Sequence, residues 1–524
     1  MSTMHEYVEG NRDEHVLIAT PTGTPGSLDI ELVKLMWDTL LHDRADTFDL
    51  AHDYLHGDHT KPYAPREASE QIRDLQDRSI TNWMPLLVNL PTQVSYVDGY
   101  RRGSGGEGLR SKAKSEGVTD TKRFSPEWKE WQRNRMDGRQ ATIYRAALTY
   151  GQSFALVNNL TAPGKPKVEV LPTRHTIAFF DDPVNDIRPK IVLTIKAYPR
   201  DEKNPGLAVL WDDTHRHELS ITHQGDFARK GESVPHGHES GCPVVRYTCG
   251  ALDDEGRSQG VITRTMVSLQ DRVNQAAFST NITADFGAFK VRTAAGLQVN
   301  YKINSETGEP LLDAAGNPIP EPIIVSQARM LVSEAPDTKF DQLDETPIAG
   351  YLANEDQATK NLAAIAQFPL HALIGNVSNL SAEALEALEK QFMRQMESLH
   401  VSWGESHEEL FRLISEALGD SDGAESYGGE VRWRDMSSKS FGALMDGLGK
   451  AADMLAVPRR GLWSQIPGLT SGDLEDLDEL AEEEKTEALL MAADPAANAA
   501  REQRPARPAR PAQSGVGGNP ANVT

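Results

Sequence analysis

Three groups of residues have types that could do chemistry, and their spacing decides whether the chain resembles an enzyme. The segment GRSQG at 256–260 matches the G-x-S-x-G nucleophile elbow, in which a serine occupies a tight turn directly between a strand and a helix. The nearest predicted strand ends near Thr248, so about eight loop residues precede Ser258 where an elbow allows almost none. Ser258 is therefore predicted to be a helix N-cap, and a serine hydrolase centred on Ser258 stays as an alternative.

A second set of residues has the chemistry of a metal site. It contains His236, His238, Cys242 and Cys249, the residue types that ligate zinc. Their spacing matches no standard zinc module, and HGHESG is typical of a polar turn before the PVVRY strand. We therefore expect no metal site, and the small number of cysteines agrees with a reducing compartment.

Asp181 and Asp182 form a carboxylate pair that general acid–base catalysis could use. Pro183 follows them, and Asp-Asp-Pro ordinarily ends a strand in a turn. The sequence contains neither a G-x-x-x-x-G-K-[ST] phosphate-binding loop nor an H-E-x-x-H zinc motif. Together these observations predict a protein that is not an enzyme and that carries no cofactor.

Composition limits the class of protein further. The chain has 524 residues, 39% of them hydrophobic, and a formal net charge of −23. Proteins that grip DNA by neutralising phosphates concentrate Lys and Arg, so this charge disfavours tight DNA binding, although a polyanion can still slide past an acidic wall. No apolar run approaches the ~18 residues of a membrane span, and the N-terminus lacks signal-peptide features. We expect no membrane partner and assembly in the cytoplasm.

The first part of the chain is predicted to be helical. Residues 1–27 are rich in Gly, Pro, Thr and His and are predicted to be flexible. Helical spacing of apolar residues follows in 28–56 and again in 66–90, where Pro85 is expected to interrupt the helix. The segment 127–151 is predicted to be one helix ending at a glycine, with its buried side formed by Trp128, Trp131, Ile143, Ala147 and Leu148.

From there to about residue 248 the pattern changes to short strands separated by Pro, Gly and Asp turns. This pattern predicts an antiparallel β region. The predicted strands are SFALVNN, KVEVLPT, TIAFFDD, KIVLTIKAY, LAVLWDD, HELSITH and PVVRYT. Beyond them, 259–285 and 347–367 are predicted helices that enclose a small module with the strand-like runs LQVNYKI, PIIVSQ and ARMLVS.

One very long amphipathic helix is the most informative element. From Leu385 to Leu418 apolar residues recur at steps of three, four or seven, so one face stays apolar for about ten turns. Ser381 is the predicted N-cap and Gly419 the stop. At ~1.5 Å per residue the helix spans roughly 55 Å. A rod of this length, preceded by the polar segment GNVSNLS, suggests a large assembly rather than an enzyme pocket.

The C-terminal part is predicted to contain a strand (EVRWRD), a helix at 438–456 and an acidic helix (SGDLEDLDELAEEEKTEALL). The remaining tail is rich in Ala, Pro, Arg and Gly and is predicted to be disordered. Arginines recur at every third residue among its prolines, which aligns them along one edge of a polyproline II segment. A solubilising tail is favoured over contact with an anionic surface; the arginines are Arg501, Arg504, Arg507 and Arg510.

A set of motifs occurs in one order along the chain. They are YLHGDH at 54–59, TNW at 81–83, DGYR at 98–101, WKEWQRNRMDGRQATIYRAALTYGQSFALV at 128–157, LPTRHTIAFFDDP at 171–183, GRSQGVITRTMVSLQDRVNQ at 256–275, GNVSNLSAEALEALE at 375–389 and VRWRDMSSKSFGALMDGLGKAADMLAVP at 431–458. In this order the chain resembles the portal proteins, or head-to-tail connectors, of tailed double-stranded DNA phages, especially the siphophage-type portals of actinobacterial phages. The resemblance covers roughly residues 28–480.

The resemblance implies an α+β, portal-like fold with a helical stem, an antiparallel β wing, a small α/β clip insertion, a long wing helix and a helical crown. The chain departs from the family pattern in two prolines after TNW and in the turn-rich stretch SETGEPLLDAAGNP. By position, the implied divisions are a flexible N-terminus at 1–27, wing at 28–258, stem helix at 259–285, clip at 286–345, second stem helix at 346–368, tunnel loop at 369–380, long helix and wing return strand at 381–440, crown at 441–480, and the acidic helix end with the Arg/Pro tail at 481–524.

The resemblance also implies a function. Twelve identical subunits would form a ring at one capsid vertex of the virion, the channel through which the genome is packaged and ejected. Its implied partners are the terminase large subunit, head-completion and adaptor proteins, the major capsid and scaffolding proteins, and double-stranded DNA passing through the channel. The implied site residues are His371, Asn376, Ser378 and Asn379 in the DNA-facing tunnel loop and Lys290, Arg292 and Lys302 in the clip that faces terminase or adaptor.

The tunnel-loop segment HALIGNVSNLS has no formal charge at neutral pH unless its histidine is protonated. Neutral amides and hydroxyls make weak, exchangeable contacts with phosphates, whereas a ring of lysines would hold them. This composition suits a surface past which DNA slides. A monomeric helical scaffold or adaptor that uses the long helix to bind a partner is a further alternative.

Overall fold

The computed structural model describes residues 28–103, 125–162, 164–288, 292–295, 301–304, 308–313, 316–319, 339–342, 347–369, 382–434, 441–455, 459–463, 466, 469 and 471–493. Helices precede and follow a central region of antiparallel strands, so the fold class is the α+β class predicted from the sequence. Among the helices in these ranges, none is long and apolar enough to cross a membrane.

The first helical segment confirms the prediction for 28–56 and adds an irregular turn. Helix α1 is Ile30–Asp43, and Asp29 caps it because its carboxylate accepts hydrogen bonds from the first free amides of the helix. A π-helical turn, Arg44–Phe48, joins α1 to α2, Asp49–His56. Gly57, with φ of 93°, ends α2.

Two helices replace the single interrupted helix predicted at 66–90. They are α3, Glu70–Arg78, and α4, Met84–Val94. Pro85 lies in the first turn of α4. N–H groups in the first turn have no helical acceptor, so the N–H that proline lacks costs no hydrogen bond. The prediction that Pro85 interrupts a helix was therefore wrong. The break instead falls at residues 79–83.

The segment 127–151 also forms two helices rather than one. They are α5, Pro126–Arg133, and α6, Met136–Tyr150, separated by Arg135 in a left-handed conformation with φ of 54°. The Asn134 side chain accepts a hydrogen bond from the Val168 amide at 3.0 Å, and this contact with a strand occupies the point where the helix stops. The five apolar residues predicted to be buried are buried.

The β region contains all seven predicted strands and two short strands that were not predicted. In chain order they are β2 Gln152–Asn158, β3 Lys167–Leu171, β4 Thr176–Phe179, β5 Ile191–Ala197, β6 Gly206–Trp211, β7 His215–Ile221, β8 Phe227–Arg229, β9 Val234–Pro235 and β10 Val244–Thr248. A preceding strand, β1 Val97–Arg101, lies between α4 and α5. The two unpredicted strands, β8 and β9, have three and two residues and are too short to give a period-two signal.

The strands form two antiparallel sheets that pack against each other. The order in one sheet is β10-β2-β3, and in the other it is β4-β5-β6-β7-β8 with β9 paired to β7. Side chains alternate across the larger sheet, so Leu193 and Leu210 pack under α1 while Val192 and Val209 pack against Phe154 of the smaller sheet. The central strands are therefore buried on both faces.

Two helices and a pair of short strands follow the β region. Helix α7 is Arg264–Ala288, and helix α8 is Ala349–Ile365. Between them, β11 Arg292–Ala295 pairs antiparallel with β12 Lys339–Gln342. Both helices agree with the sequence prediction.

A small meander lies between these paired strands. Within its described residues, Ile303 bridges to Pro310 and Leu312 bridges to Pro318. It contains the end of the predicted strand LQVNYKI and part of the turn-rich stretch SETGEPLLDAAGNP. The predicted strands PIIVSQ and ARMLVS lie outside the described residues.

The long helix, α9, runs Ala382–Ala417 and has 36 residues. Its C-terminus has the hydrogen bonds of a Schellman motif: the Gly419 amide donates to Glu416 and the Asp420 amide donates to Ser415, both at 2.9 Å. Gly419 has φ of 76°, which confirms it as the stop. The predicted N-cap, Ser381, lies outside the described residues.

The chain divides into two compact units, of which the first comprises 1–97, 101–106 and 125–431. The second comprises 98–100, 107–124 and 432–524. The elements after α9 are α10 Ser421–Ala424, β13 Glu430–Trp433, α11 Phe441–Met454, α12 Arg459–Leu462 and α13 Ser471–Ala493. Within the second unit, the carboxylate of Asp98 pairs with both Arg432 and Arg434. The residues DGYR and VRWRD, which carry part of the resemblance, are thus partners.

Candidate functional site

The residues assigned to function fall mostly outside the described part of the chain. This holds for the whole tunnel-loop set, which is His371, Asn376, Ser378 and Asn379. In the clip, Lys290 is likewise outside it, and Arg292 lies in β11, where only the backbone is described. Lys302 is exposed in the meander, and its amide donates to the Ile319 carbonyl at 3.0 Å. The roles of these residues stay predictions. The structure describes the helices and strands next to them.

Helices α7 and α8 form an antiparallel hairpin. Met266, near the start of α7, lines a cavity with Ile365 at the end of α8. Farther along α7, Ala276 lines a groove with Asn354 from the beginning of α8. The segment 289–348 therefore connects the two helices at one end of the hairpin, and α8 leads back from it toward the start of α9.

Buried amide side chains on α7 hold the segment that contains TNW. The side chain of Gln270 accepts from the Trp83 amide at 3.1 Å and donates to the Thr81 carbonyl at 2.5 Å. The side chain of Asn274 accepts from the Thr81 amide at 3.1 Å and donates to Nδ1 of His59 at 3.0 Å. Both amide side chains are fully buried, so these bonds satisfy groups that would otherwise be costly to bury.

The next residues of α7 hold the segment that contains YLHGDH. The Tyr54 hydroxyl donates to the carboxylate of Asp271 at 2.6 Å. Burial raises the pKa of Tyr54, and this hydrogen bond raises it further. The His59 ring stacks on the Tyr54 ring with centroids 4.5 Å apart. One turn farther, the side chain of Gln275 accepts from the Tyr63 amide at 2.7 Å. Three motifs that are distant in sequence thus meet along one helix.

A cavity lies where the hairpin approaches α4 and α9. Its volume is about 300 Å³. The lining is mostly apolar and includes Leu87 and Pro91 of α4, Met266 of α7 and Phe368, with Gln395 contributed by α9. The end of the hairpin that precedes α9 is therefore not tightly filled in a single chain.

The second half of α9 is bonded to strand β10. The indole N–H of Trp403 donates to the Thr248 carbonyl at 2.8 Å, and the Ser406 hydroxyl donates to the Arg246 carbonyl at 2.8 Å. The Trp403 ring also stacks on Tyr144 of α6 with centroids 4.5 Å apart. These contacts place α9 against both the smaller sheet and α6.

A buried histidine on α9 completes this contact. Nδ1 of His407 lies 3.0 Å from the Tyr247 hydroxyl, and Nε2 lies 2.7 Å from the Tyr144 hydroxyl. Because the Tyr144 hydroxyl donates to the Gln140 side chain at 3.1 Å, the consistent arrangement has Nε2–H donating to Tyr144 and Tyr247 donating to Nδ1. Burial lowers the pKa of His407 to about 3, so the ring is neutral at physiological pH.

The end of α9 holds a loop of the β region through Glu416. Its carboxylate accepts from the amides of Glu239 and Ser240 at 2.6 and 2.8 Å, and lies 3.3 Å from Nδ1 of His238. Burial by itself would raise the pKa of Glu416, but the hydrogen bonds from His238 and Ser240 outweigh it and lower the pKa to about 2. The carboxylate is ionised across the physiological range.

An ionic contact joins the same helix end to the start of α5. The guanidinium of Arg102 bonds the carboxylates of Glu127 and of Asp420, the latter at 2.6 Å. Glu127 is 1% exposed and also accepts from the Ser415 hydroxyl at 2.5 Å. A Cβ at Gly423 would lie 2.3 Å from the Arg102 guanidinium and 2.8 Å from the Ser415 Cβ, so a larger residue here would displace these side chains.

The candidate nucleophile lies in a loop. Residues 249–263 separate β10 from α7, so no strand-to-helix elbow forms, and the Ser258 hydroxyl oxygen accepts from the Cys249 amide at 3.0 Å. Thr263 caps α7 instead, because its hydroxyl accepts from the Met266 amide at 3.3 Å. The prediction that Ser258 is the N-cap was wrong, since the loop continues for several residues beyond it.

The four candidate zinc ligands do not converge on one point, and the two histidines bond backbone carbonyls instead. His236 bonds the Asp212 carbonyl through Nε2 at 3.1 Å, and His238 bonds the Val157 carbonyl through Nε2 at 3.1 Å. Burial raises the pKa of Cys249 to about 12, which disfavours the thiolate that zinc requires. Within the described ranges, no group of three or more His, Cys, Asp or Glu is placed to hold a metal ion.

The Asp181–Asp182 pair forms the predicted turn. The Asp182 carboxylate accepts from the amides of Val184 and Asn185, both at 3.1 Å, and the side chain of Asn185 holds the pKa of Asp182 below its ordinary value. Asp181 pairs with Lys190 at 3.0 Å. The Asp182 carboxylate therefore stabilises the turn, and the Asp181 carboxylate forms an ion pair with Lys190.

The polar residues buried on the two long helices were missed by sequence reasoning. A signal was present, because His407 lies on the apolar face between Trp403 and Leu410. Gln270 and Asn274 similarly interrupt the apolar spacing of α7. A polar residue at a core position predicts a specific buried partner, although sequence does not identify that partner.

Comparison with known proteins extends these observations. A family model, phage portal protein of the SPP1 Gp6-like type, matches residues 41–488. Two relatives, each named portal protein, come from Mycobacterium phages L5 and D29 and are 24% identical to this chain over 334 residues. Each alignment covers 61% of this chain and 64% of the relative, so the chain spans less than two thirds of the relatives' length.

Solved structures with weak similarity belong to gene transfer agent (GTA) particles. A chain of the native GTA virion has a TM-score of 0.38 and 12% identity, with 81% of this chain and 100% of that chain covered. A chain of the native GTA neck, computed with C12 symmetry, has a TM-score of 0.34 and 12% identity, with 81% and 96% covered. Scores this low support no conclusion about the present chain. The family match spans most of the sequence, however, and the chain belongs to the SPP1 Gp6-like phage portal protein family.

Proposed function

We propose that this chain assembles into a ring of twelve copies at one vertex of a phage capsid, and that double-stranded DNA is packaged and ejected through the centre of the ring. The observation that carries the proposal is the family match over residues 41–488. The names of the two mycobacteriophage relatives agree with it. On this proposal the protein is assembled in the host cytoplasm and becomes part of the virion.

The proposed divisions follow the order of the elements. The wing is 28–258, and the stem helices are 259–285 and 346–368, which contain most of α7 and all of α8. The clip, 286–345, connects the stem helices at one end of their hairpin, and the tunnel loop, 369–380, joins α8 to α9. Antiparallel packing of α7 and α8 supports this division, because it directs the clip away from α9 and returns the chain to it. The crown is the segment 441–480.

The proposed contacts with partners follow from composition. The neutral tunnel-loop residues already named would face the DNA, where weak contacts let the phosphate backbone slide. The clip residues Lys290, Arg292 and Lys302 would face the terminase large subunit and, later, head-completion and adaptor proteins. Capsid and scaffolding proteins would surround the wing.

The proposal assigns no catalytic role to any residue. It is favoured over a serine hydrolase because Ser258 lies within a long loop and its hydroxyl oxygen accepts a backbone hydrogen bond. A channel acts through its shape and surface, so the polar contacts of α7 and α9 have a structural purpose: they fix the elements that border the channel.

Imaging of the purified full chain by negative-stain electron microscopy tests the proposal, with mass photometry over a range of concentrations and salt. We expect closed rings with a central hole, because only an assembly with cyclic symmetry closes in this way. Particles with the mass of one chain under every condition would contradict the proposal and favour the monomeric scaffold or adaptor.

A further inference from the structure

We propose that residues 60–78, here called the arm, and the adjacent groove on α7 form a surface that binds a second copy of this chain. The inference rests on the proposed ring and identifies a face through which neighbouring copies meet. It follows from how the arm is held, what it exposes and how its charges are balanced.

The arm is fixed to α7 without being buried. The Tyr63 amide donates to Gln275 at 2.7 Å, and the side chain of Gln76 donates to the Pro62 carbonyl at 2.5 Å. Helix α3, which forms the second half of the arm, has no buried residue. A nine-residue helix is too short to be stable by itself in water, so we expect its partly exposed apolar residues, Ile72 and Leu75, to be covered in the assembly.

Tyr63 is the most prominent group on the arm. The residue is 79% exposed, although the backbone beside it is held by the bond to Gln275 and by the buried Pro62. A rigidly held aromatic side chain loses little conformational entropy on binding, and tyrosine is enriched among residues that dominate interface energies. Exposure of such a group in a single chain indicates a contact surface.

A groove of about 180 Å³ lies next to the arm. It is lined by Arg272, Gln275, Ala276 and Ser279 of α7 and by Asn354 and Ala358 of α8. Gln275 belongs to both features, since it lines the groove and bonds the Tyr63 amide. Arg272 is exposed and makes no ion pair within the described part of the chain, so its guanidinium is available to a partner.

Charge balance selects a second copy as the occupant. A chain with a net charge of −23 repels its own copies, so contact between copies requires a surface that is locally neutral. Apart from the Lys61–Asp77 pair, the arm exposes three cations and three anions with no ion pair among the described residues. They are Arg66, Glu67, Glu70, Arg73, Asp74 and Arg78. Each copy carries cations and anions on its arm, so a cation of one copy can pair with an anion of the other.

Tyr63→Glu tests the surface, with Tyr427→Glu as the matched control. Both tyrosines are almost equally exposed, at 79% and 77%, so each variant makes the same charge change at the surface. We expect unchanged circular dichroism and melting temperature for both. Mass photometry should show that Tyr63→Glu raises the concentration needed for ring formation at least tenfold, whereas Tyr427→Glu should assemble like the unaltered chain.

A labelling experiment gives an independent measure that does not change Tyr63. Glu67→Cys places a thiol on the arm, and the native thiols give low background because Cys242 is buried and burial raises the pKa of Cys249 to about 12. We expect maleimide to react at least tenfold more slowly in rings than in dissociated chains.

The outcomes separate the two proposals. Rings that form from Tyr63→Glu at the unaltered concentration, or equal labelling rates of Glu67→Cys in rings and dissociated chains, would overturn the arm as the contact while leaving the ring intact. An unaltered chain that never forms an oligomer would instead contradict the proposed function and, with it, this inference.

Discussion

The two halves of α9 are held in different ways. In the first half, Phe392, Met396 and Leu399 are buried, and the side chains of 391–399 make neither a hydrogen bond nor an ion pair within the described chain. In the second half, from 402 to 416, polar side chains bond β10, α6, α5 and a loop of the β region.

This difference shows that burying a helix face and fixing the helix along its axis are separate effects. Apolar contacts are non-directional, so they favour burial of a helix face without fixing how far the helix has advanced along its axis. Hydrogen bonds require particular distances and angles, and a buried group left without its partner is costly. The segment 402–416 therefore fixes the position of α9 along its axis more closely than the segment 391–399 does.

The largest expected effect is that of Trp403→Ala in the second half. It removes a fully buried ring, its stack on Tyr144 and its bond to the Thr248 carbonyl, so the free energy of unfolding should fall by about 3–5 kcal/mol. Urea denaturation measures the change. The control, Trp403→Phe, keeps most of the apolar area and should cost less. A loss below about 1 kcal/mol for the alanine variant would contradict the assigned role of this half.

A smaller, pH-dependent effect is expected for Glu416→Gln. The folded-state pKa of about 2 lies below the ordinary value of about 4.3, so the carboxylate contributes stability above pH ~4 that is lost as pH falls through 2. At neutral pH the variant should be less stable by up to about 3 kcal/mol. Denaturation at several pH values should show this gap closing between about pH 5 and 2. A gap that stays constant with pH would show that Glu416 acts through packing alone.

The smallest effect is expected for Met396→Leu in the first half. Met396 is 1% exposed, and a swap of similar volume in an apolar contact should change the free energy of unfolding by less than about 1.5 kcal/mol. The same denaturation series measures it. If this variant matched Trp403→Ala, the two halves of α9 would be held alike and the comparison would fail.

The sequence predicted those elements whose signals are local. The period of apolar residues in α9 and the left-handed glycine at 419 determine the helix and its end within the segment itself. The seven main strands were also recognisable, because β-branched runs end in Gly, Pro or Asp turns. The α+β class followed from their order.

The breaks between helices could not be predicted because distant partners cause them. Asn134 ends α5 where its side chain bonds Val168 in a strand that comes later in the chain. Residues 79–83 leave the helix where Gln270 bonds Thr81, nearly two hundred residues away in sequence. Local propensity contains no information about such partners, so each segment looked like a single helix.

The family was predictable from the order of its motifs, whereas the roles of the candidate site residues stay predictions. The succession of stem, clip, tunnel loop and long helix came from a family resemblance, and the family match confirms that resemblance. The contacts that join the motifs, such as Tyr54 to Asp271 and Trp83 to Gln270, depend on which side chains meet in three dimensions. The family motifs of this chain therefore contain residues that contact each other across the fold.

The antiparallel arrangement of α7 and α8 has an evolutionary consequence. The two helices bring the ends of the intervening sixty-residue excursion together, so its contour length has little influence on the rest of the molecule. The antiparallel pair β11–β12 joins the two ends of this excursion close to the helices, so residues inserted beyond the pair need not disturb α7 or α8. The segment between α7 and α8 can accordingly change length during evolution while the two helices keep their packing.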